Sequence, residues 1–537
     1  MGGDSRPTIL GSGRYWWGCP CEPDGSLRQI QCLVQQGQYR KALEVASSLS
    51  CVSGHTEHAL MDLKRLVCDD FELVTDEVKG RYLRASRDLP IGTPLIRERP
   101  LVVSDAQGEH ACKVFQSDFV SEIQQSVHEG DEESEQLMAM LDAIAMVVKL
   151  SVEKTDSITL RRLAWLEGHG LQAGDLEMRD LMLTKMVEPY RSRVTAEDVG
   201  DVYGVLMCNR FWGSDRQSDV MWVCSMFEHS CDPTVFRGDV DPSKPKTDKY
   251  RSRKMTTLLP VKQGSALTVD YIGLPTVYAP TWARRNALGH WRFSCQCQWC
   301  VQQPERCRAF VCPKCKEPEL TPAGPDLSGV EVSSSEETKL IQTLKNLACL
   351  KCGFDEPTEA FLNRCMQAED DFKEEPELLF TSGRRLSEFH AANFAVAWNA
   401  FYQDVIFRCA SPDEQRAVCE LLVESLFRLY GYHHPQSLEF IHTLAELSED
   451  QEEQAQILAL EHVIFVTFFQ EESEQLDQES YRLMYSLRPG EELPEEARGL
   501  LVIVLRLVLE PFRLLQRALS VHAIAGPHTV GKRVIES

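Results

Sequence analysis

The chain has 537 residues, of which 43% are hydrophobic and 26% charged, a composition typical of globular proteins with several domains. Its formal net charge of −24 argues against direct binding of nucleic acid, because a polyanion meets a repulsive field, and favours a basic protein partner. Met1 to Gly11 lacks the apolar run of a secretory signal peptide, and Leu500 to Leu509 is far shorter than the roughly 20 residues that span a bilayer. We therefore expect a protein of the cytoplasm, the nucleus or both that does not enter membranes. Its 20 cysteines are then metal ligands or buried thiols rather than disulfides.

The first part of the chain is predicted to be helical and then to change to strands. A helical pattern runs from Arg28 to Leu49 and is broken at Gly37. Short strands bounded by turn residues are predicted at Tyr82–Ala85 and Leu95–Arg99. Residues 1–70 therefore form a small helical cap, or the remnant of a zinc finger, in front of a β-rich domain.

The rest of the chain alternates between helical, strand-rich and cysteine-rich regions. An apolar helix is predicted at Leu137–Glu153, short strands return over residues 200–272, and the helix that begins at Ser411-Pro412 follows a cysteine-rich stretch. We predict an α+β protein of several domains. Their boundaries are 71–285, with a helical insertion at about 106–200, then 286–355 for the zinc-binding modules, and 356–537 for an all-helical, repeat-like C-terminal domain. Acidic residues concentrated at 448–475 make that last domain a surface for protein partners.

Two groups of cysteines have the spacing of zinc ligands. Cys295, Cys297 and Cys300 form a C-x-C-x-x-C cluster that needs a fourth ligand, for which Cys231 is the candidate. The second group consists of two C-x-x-C pairs that are typical of a zinc ribbon, and its members are Cys312, Cys315, Cys349 and Cys352. Cys307 lies between the groups and is an alternative ligand for either.

The chain resembles the SET- and MYND-domain (SMYD) family of protein-lysine methyltransferases, and within it the arthropod SmydA-type branch. The resemblance covers roughly residues 65–352 and is carried by short motifs in chain order. These are Gly80-Arg81-Tyr82 through Val103, Cys208-Asn209-Arg210-Phe211, Phe227-Glu228-His229-Ser230-Cys231, Leu267-Thr268-Val269-Asp270-Tyr271 and Phe293 to Cys300.

This resemblance implies a SET-type β-fold with a post-SET cysteine loop and transfer of a methyl group from S-adenosylmethionine to a lysine amine. Tyr271 is the implied catalytic residue, and Trp291 is its implied neighbour in the substrate channel. Two structural zinc ions are implied as well. The implied cofactor contacts are Lys79, Gly80, Tyr82, Asn209, Glu228, His229 and Phe293.

Four positions depart from the family pattern. Tyr82 replaces a glycine, Glu228 replaces the asparagine of an Asn-His pair, Trp291 replaces a tyrosine, and Lys64 stands where a MYND finger needs histidine. A carboxylate only accepts hydrogen bonds, whereas an amide also donates. Three hypotheses therefore stay open: an active lysine methyltransferase with a histone or non-histone substrate, a SET-fold pseudoenzyme that serves as a scaffold, and a zinc-stabilised interaction protein.

Overall fold

The computed structural model describes residues 25–48, 54–76, 80–166, 168, 170–212, 217–239, 252–273, 276–278, 281–301, 310, 312–315, 320–322, 347–349, 351–355, 358, 360–361, 363, 411–430 and 434–468. The protein combines helices with small sheets and divides into two compact units. The first unit contains residues 1–228, 237–269 and 290–292, and the second contains 229–236, 270–289 and 293–537. Lys79, Cys307 and Leu500–Leu509 lie outside the described residues.

Fifteen α-helices are present among the described residues, and none is long and apolar enough to cross a membrane. They are Gly25–Gln35, Tyr39–Ser48, Gly54–Leu66, Ala111–Val114, Ser117–His128, Glu132–Glu153, Ser157–Leu163, Ala173–Lys185, Glu188–Arg191, Ala196–Asn209, Thr281–Ala287, Gln298–Val301, Pro412–Tyr430, Leu438–Glu446 and Gln451–Phe468.

The strands are short. They are Phe71–Asp76, Gly80–Ala85, Pro94–Glu98, Val102–Asp105, Arg210–Trp212, Gln217–Val220, Glu228–His229, Val235–Asp239, Arg253–Thr257, Thr268–Val269, Leu320–Pro322 and Leu347–Cys349. Short 3-10 helices are Cys224–Met226, Thr276–Tyr278, Leu288–Trp291 and Pro435–Ser437.

The predicted break in the N-terminal helical region is confirmed. The first two helices meet at Gly37, whose φ of +70° is a left-handed conformation that glycine adopts without steric cost. A Cβ atom at Gly37 would lie 2.9 Å from the Thr75 hydroxyl oxygen, so the turn also needs the space that glycine leaves.

Strands appear where the alternating pattern predicts them. Phe71–Asp76 pairs antiparallel with Gly80–Ala85, and Pro94–Glu98 pairs antiparallel with Arg253–Thr257. Gly80 begins its strand with φ at +74°. A side chain at that position would be strained, which gives a backbone reason for glycine at the start of the motif.

A long buried helix organises the insertion in the first unit. The sequence predicts it from Leu137, and the structure begins it at Glu132, because the Asp131 carboxylate accepts the Ser134 backbone N–H and caps the first turn. The carboxylate of Asp142, inside the helix, accepts the backbone N–H groups of His110 and Ala111 at 2.6 and 3.0 Å. This hydrogen bonding satisfies a buried carboxylate and holds the chain that follows the strand Val102–Asp105.

Three helices are the last elements in chain order that the structure describes in the second unit. Pro412–Tyr430 begins with proline at its first position, as the sequence predicts, and Leu438–Glu446 and Gln451–Phe468 follow it. Leu422 and Phe440 are buried between them. The Arg416 guanidinium pairs with Glu453 and thereby ties the first of these helices to the last.

A buried ionic network ties the helix Gly54–Leu66 to other elements of the first unit. The Asp62 carboxylate, 1% exposed, pairs with Arg161 at 3.0 Å and Arg162 at 2.9 Å. The Arg162 guanidinium also lies over the buried Trp222 ring, 4.9 Å from its centre, a cation–π contact. These contacts anchor the helix Gly54–Leu66 in the first unit.

We expect Asp62→Asn to destabilise the protein by about 3–5 kcal/mol, because it leaves two largely buried guanidinium groups without their carboxylate. Urea denaturation followed by tryptophan fluorescence measures the free energy of unfolding. Asp180→Asn is the matched control, since Asp180 also pairs with arginine but is 61% exposed, and its loss costs about 0–1 kcal/mol. Equal effects of the two substitutions would contradict the assignment.

Candidate functional site

Four cysteine sulfurs from distant parts of the chain meet in the second unit. The first cysteine cluster consists of Cys231, Cys295, Cys297 and Cys300, whose sulfur atoms all lie within 4.8 Å of one another. Cys231 and Cys300 sulfurs are 3.6 Å apart, well beyond the roughly 2.05 Å of a disulfide. A tetrahedral zinc ion with Zn–S bonds of about 2.3 Å separates its sulfurs by about 3.8 Å. The cluster therefore fits a zinc ion.

Backbone hydrogen bonds around Cys295, Cys297 and Cys300 bring their three sulfurs close together. The short helix Gln298–Val301 begins after Cys297, whose carbonyl accepts the backbone N–H groups of Cys300 and Val301 at 2.9 and 3.1 Å. The Cys297 N–H in turn donates to the Cys295 sulfur at 3.4 Å. An N–H bond to sulfur stabilises a thiolate, the form that binds metal.

Two arginines place positive charge beside the first cysteine cluster, as an anionic zinc–thiolate centre requires. Arg284 is fully buried, and its guanidinium donates to the Cys300 sulfur at 3.6 Å and to the Trp299 carbonyl at 3.3 Å. Arg285 donates to the carbonyls of Cys295 and Cys300 at 3.4 and 3.2 Å. A buried guanidinium needs a nearby negative charge, and four thiolates around Zn²⁺ carry a net charge of about −2.

The thiols of this cluster change one another's pKa values. Hydrogen bonds from Cys231, Cys295 and Cys300 lower the pKa of the Cys297 thiol, and hydrogen bonding to the same group of sulfurs raises the pKa of Cys231. Four adjacent thiols cannot all ionise without a cation among them, and a zinc ion would supply that positive charge.

The second cysteine cluster is a separate centre in the same unit. Its sulfurs also lie within 4.8 Å of one another, with Cys312 to Cys352 at 3.7 Å and Cys315 to Cys349 at 3.6 Å. Gly353 follows the last ligand with φ at +68°, and its N–H donates to the Cys349 carbonyl at 2.9 Å. Burial opposes ionisation of Cys352, yet the Phe354 backbone and the neighbouring thiols lower its pKa to about 7. This group also fits zinc.

An aromatic group lies directly against the first cysteine cluster. The ring centre of His229 is 5.2 Å from that of Tyr271 and 5.9 Å from that of Phe293, and the last two are 6.4 Å apart. Phe293 keeps 38% of its surface exposed. The three rings are the predicted site residues that the structure brings together, and they form a partly open aromatic surface.

Both nitrogens of the His229 ring have partners. Its Nδ1 accepts the Tyr271 backbone N–H at 3.1 Å, and its Nε2 lies 3.3 Å from the Cys231 sulfur. Burial lowers the pKa of His229 to about 4, so the ring is neutral at pH 7. A cofactor contact by this residue is therefore left to its ring face and its backbone.

The other predicted cofactor and channel residues belong to the first unit, and their roles stay predictions. Asn209 is buried and donates its side-chain amide to the Val205 carbonyl at 2.8 Å. The backbone N–H of Glu228 donates to the Leu267 carbonyl at 3.3 Å. Gly80 and Tyr82 lie in one strand, and Trp291 is half-buried at the end of a 3-10 helix.

Sequence reasoning missed three arginines around these segments. Arg284 and Arg285 support the first cysteine cluster, as described above. Arg292 has φ at +57°, unusual for a residue with a side chain. Its guanidinium pairs with the Asp175 carboxylate and donates to the Gly170 carbonyl. Single arginines beside a cysteine motif form no recognisable spacing pattern in the sequence, so only the tertiary structure identifies their role.

No protein-family model and no curated protein sequence matches the chain. Two solved structures show a weak likeness. One is the crystal structure of the SET domain of LSMT bound to lysine and AdoHcy, with 13% identity, a TM-score of 0.31, and coverage of 87% of this chain and 99% of that chain. The other is Rubisco LSMT bound to sinefungin and monomethyllysine, with 12% identity, a TM-score of 0.28, and coverage of 92% and 100%. Scores of this size carry no argument about the activity of this chain.

We expect each cysteine cluster to bind one zinc ion. Cys300→Ala and Cys352→Ala should each lower the zinc content by one ion per chain, because three remaining thiolates hold zinc far less tightly in a structural site. Metal analysis by plasma mass spectrometry after gel filtration with a mild chelator gives the stoichiometry. Cys419→Ala, which removes a buried cysteine outside both clusters, is the control. A zinc content unchanged by both cluster variants would refute the two metal centres.

Proposed function

We propose that the chain is a SET-domain protein-lysine N-methyltransferase of the SMYD type that uses S-adenosylmethionine and acts in the cytoplasm, the nucleus or both. One observation carries the proposal. The three rings of His229, Tyr271 and Phe293 meet beside the first cysteine cluster, although they come from three separate parts of the chain. Those parts are the ones whose motifs resemble the family.

The residues present partly fit S-adenosylmethionine. The exposed ring of Phe293 offers an apolar face for a flat base, and aromatic faces also attract a sulfonium cation. His229 and Phe293 would hold the cofactor, which supplies a methyl group on a positively charged sulfur. Glu228 would accept from its ammonium group but repel its carboxylate.

Tyr271 is the residue to which we assign catalysis. Its hydroxyl would orient the methyl group and the incoming lysine amine, and the surrounding rings would exclude water so that the amine stays neutral. Alignment and dehydration of this kind account for much of the rate enhancement in such transfers. The zinc ion of the first cluster is structural in this proposal, because four cysteines leave no open coordination position.

The charge of the chain points to the substrate and to partners. A net charge of −24 attracts a basic segment, and lysine-rich protein tails have that chemistry. The helix Leu438–Glu446 carries the exposed acidic side chains Glu439 and Glu446, which would suit a second basic protein. Neither nucleic acid nor a membrane is needed in this scheme.

A scaffold without activity is the second candidate. Glu228 lacks the donor of the amide it replaces, and the Asn209 amide is engaged by its own helix. If both contacts to the cofactor are lost, the same fold could still present protein partners through its helical C-terminal region.

We expect Glu228→Asn to strengthen S-adenosylmethionine binding about tenfold or more, because a charge-assisted contact is worth about 1.5–3 kcal/mol and the negative charge beside the cofactor carboxylate is removed. Isothermal titration calorimetry of the wild type and the variant measures the change. Glu228→Ala removes the charge without adding an amide, so its gain should be smaller. If Glu228→Asn binds no more tightly than the wild type, Glu228 is itself a ligand of the ammonium group.

Tyr271→Phe should lower the methyl-transfer rate by about 100-fold or more while leaving cofactor affinity nearly unchanged, because only the orienting hydroxyl is lost. A radiolabelled transfer assay on protein arrays compares it with the wild type, and zinc content serves as the control for folding. Robust transfer by the variant would mean that the catalytic assignment is wrong. Cofactor binding without transfer by the wild type would favour the scaffold.

A further inference from the structure

We propose that His229 is a positioning residue that connects the metal of the first cysteine cluster to the backbone of Tyr271. In this arrangement, zinc bound at Cys231 fixes the place of the tyrosine through one imidazole ring. The hydrogen-bonded connection stands on its own geometry. Only its consequence for catalysis rests on the function proposed above.

The first step is the tautomer of the ring. A backbone N–H can only donate, so the Tyr271 N–H at 3.1 Å requires a lone pair on Nδ1 of His229. A neutral imidazole with its lone pair on Nδ1 carries its hydrogen on Nε2. Nε2 is therefore a donor, and its neighbour at 3.3 Å is the Cys231 sulfur.

The second step is the effect of metal on that contact. Zinc binds cysteine as thiolate, and an anionic sulfur accepts a hydrogen bond more strongly than a thiol. Zinc at the first cluster would thus strengthen the Nε2–H contact to Cys231 and hold the ring in the tautomer that Tyr271 needs. Groups that orient metal ligands in this way commonly change metal affinity about 10- to 100-fold when they are removed.

The third step is the place of Tyr271 in the backbone. The strand Thr268–Val269 ends before Tyr271, and the next residue, Ile272, donates its N–H to the Asp270 carboxylate at 3.0 Å. The tyrosine amide therefore lies outside a regular strand pair and is held by a side chain. Its ring also contacts the His229 ring, so backbone and side chain are both positioned by the same imidazole.

Two substitutions separate the two ends of this connection. His229→Asn keeps an acceptor near the position of Nδ1 but is too short to reach Cys231. His229→Gln places an amide donor near the position of Nε2 but has no acceptor for the Tyr271 N–H. The full-length chain is used throughout. The second cysteine cluster, which His229 does not contact among the described residues, is an internal control for folding.

Zinc release to a chromogenic chelator measures zinc retention at the first cluster and so tests the contact between His229 and Cys231. The Cys300→Ala and Cys352→Ala variants distinguish the two ions. The Tyr271 amide signal tests the contact between the Tyr271 N–H and Nδ1 of His229. It is followed in the NMR spectrum of protein labelled with ¹⁵N only at its 13 tyrosines, and Tyr271→Phe assigns that signal. We expect His229→Asn to weaken zinc retention at the first cluster about 10- to 100-fold and to leave the Tyr271 signal near its original place. His229→Gln should retain zinc and shift the signal.

The opposite pattern, or two variants that match the wild type in both readouts, would overturn the proposal. Loss of zinc from both clusters in both variants would overturn it too, because each variant is assigned one surviving contact. If the wild type transfers methyl groups, His229→Gln should lower kcat, because the Tyr271 backbone loses its acceptor. If the wild type transfers none, the proposed function fails, while zinc release and the Tyr271 signal still decide the role of His229.

Discussion

The meeting of four sulfur atoms is the constraint on which the rest of the candidate site depends. Cys231 and the loop at Cys295–Cys300 are about sixty residues apart, and the cluster places them together in the second unit. His229 lies two residues before Cys231, and Phe293 lies two residues before Cys295. Because a metal-binding cysteine leaves its neighbours little freedom, the aromatic group is a direct consequence of where the sulfurs meet. The buried Arg284 then balances the charge that this arrangement creates.

The parts of the structure that sequence predicts are those set by local chemistry. Gly37 breaks a helical pattern, proline begins the helix Pro412–Tyr430, and the cysteine spacings indicate two clusters. Arg284 and the Asp62 network were beyond such reasoning, because a buried charge is recognised only from the groups that surround it in three dimensions. For Asn209 the cofactor contact stays a prediction, and the structure adds that its side-chain amide donates to the Val205 carbonyl.

The retained and altered positions of the family pattern differ in what they do. The cysteines and the three rings concern alignment, and they occur together in one unit. Glu228 and Trp291 are assigned direct contact with the cofactor and the lysine only in the proposed function, and there the chemistry departs from the family pattern, from amide to carboxylate and from phenol to indole. Under the proposed function, the chain would differ from the family pattern in ligand preference or affinity more than in architecture. Cofactor affinity is therefore the property that separates an enzyme from a scaffold.

The chain order of the cysteine ligands has a consequence during synthesis. Ribosomes add about 5–20 residues per second, so Cys231 precedes Cys295 by roughly 3 to 13 s. During that interval the first cluster has only one of its four cysteines. A zinc ion held by all four cysteines would thus be bound only after the whole first unit has been made, because every residue of that unit precedes Cys295. The four-cysteine cluster can form only once Cys300, its last member in chain order, has been synthesised.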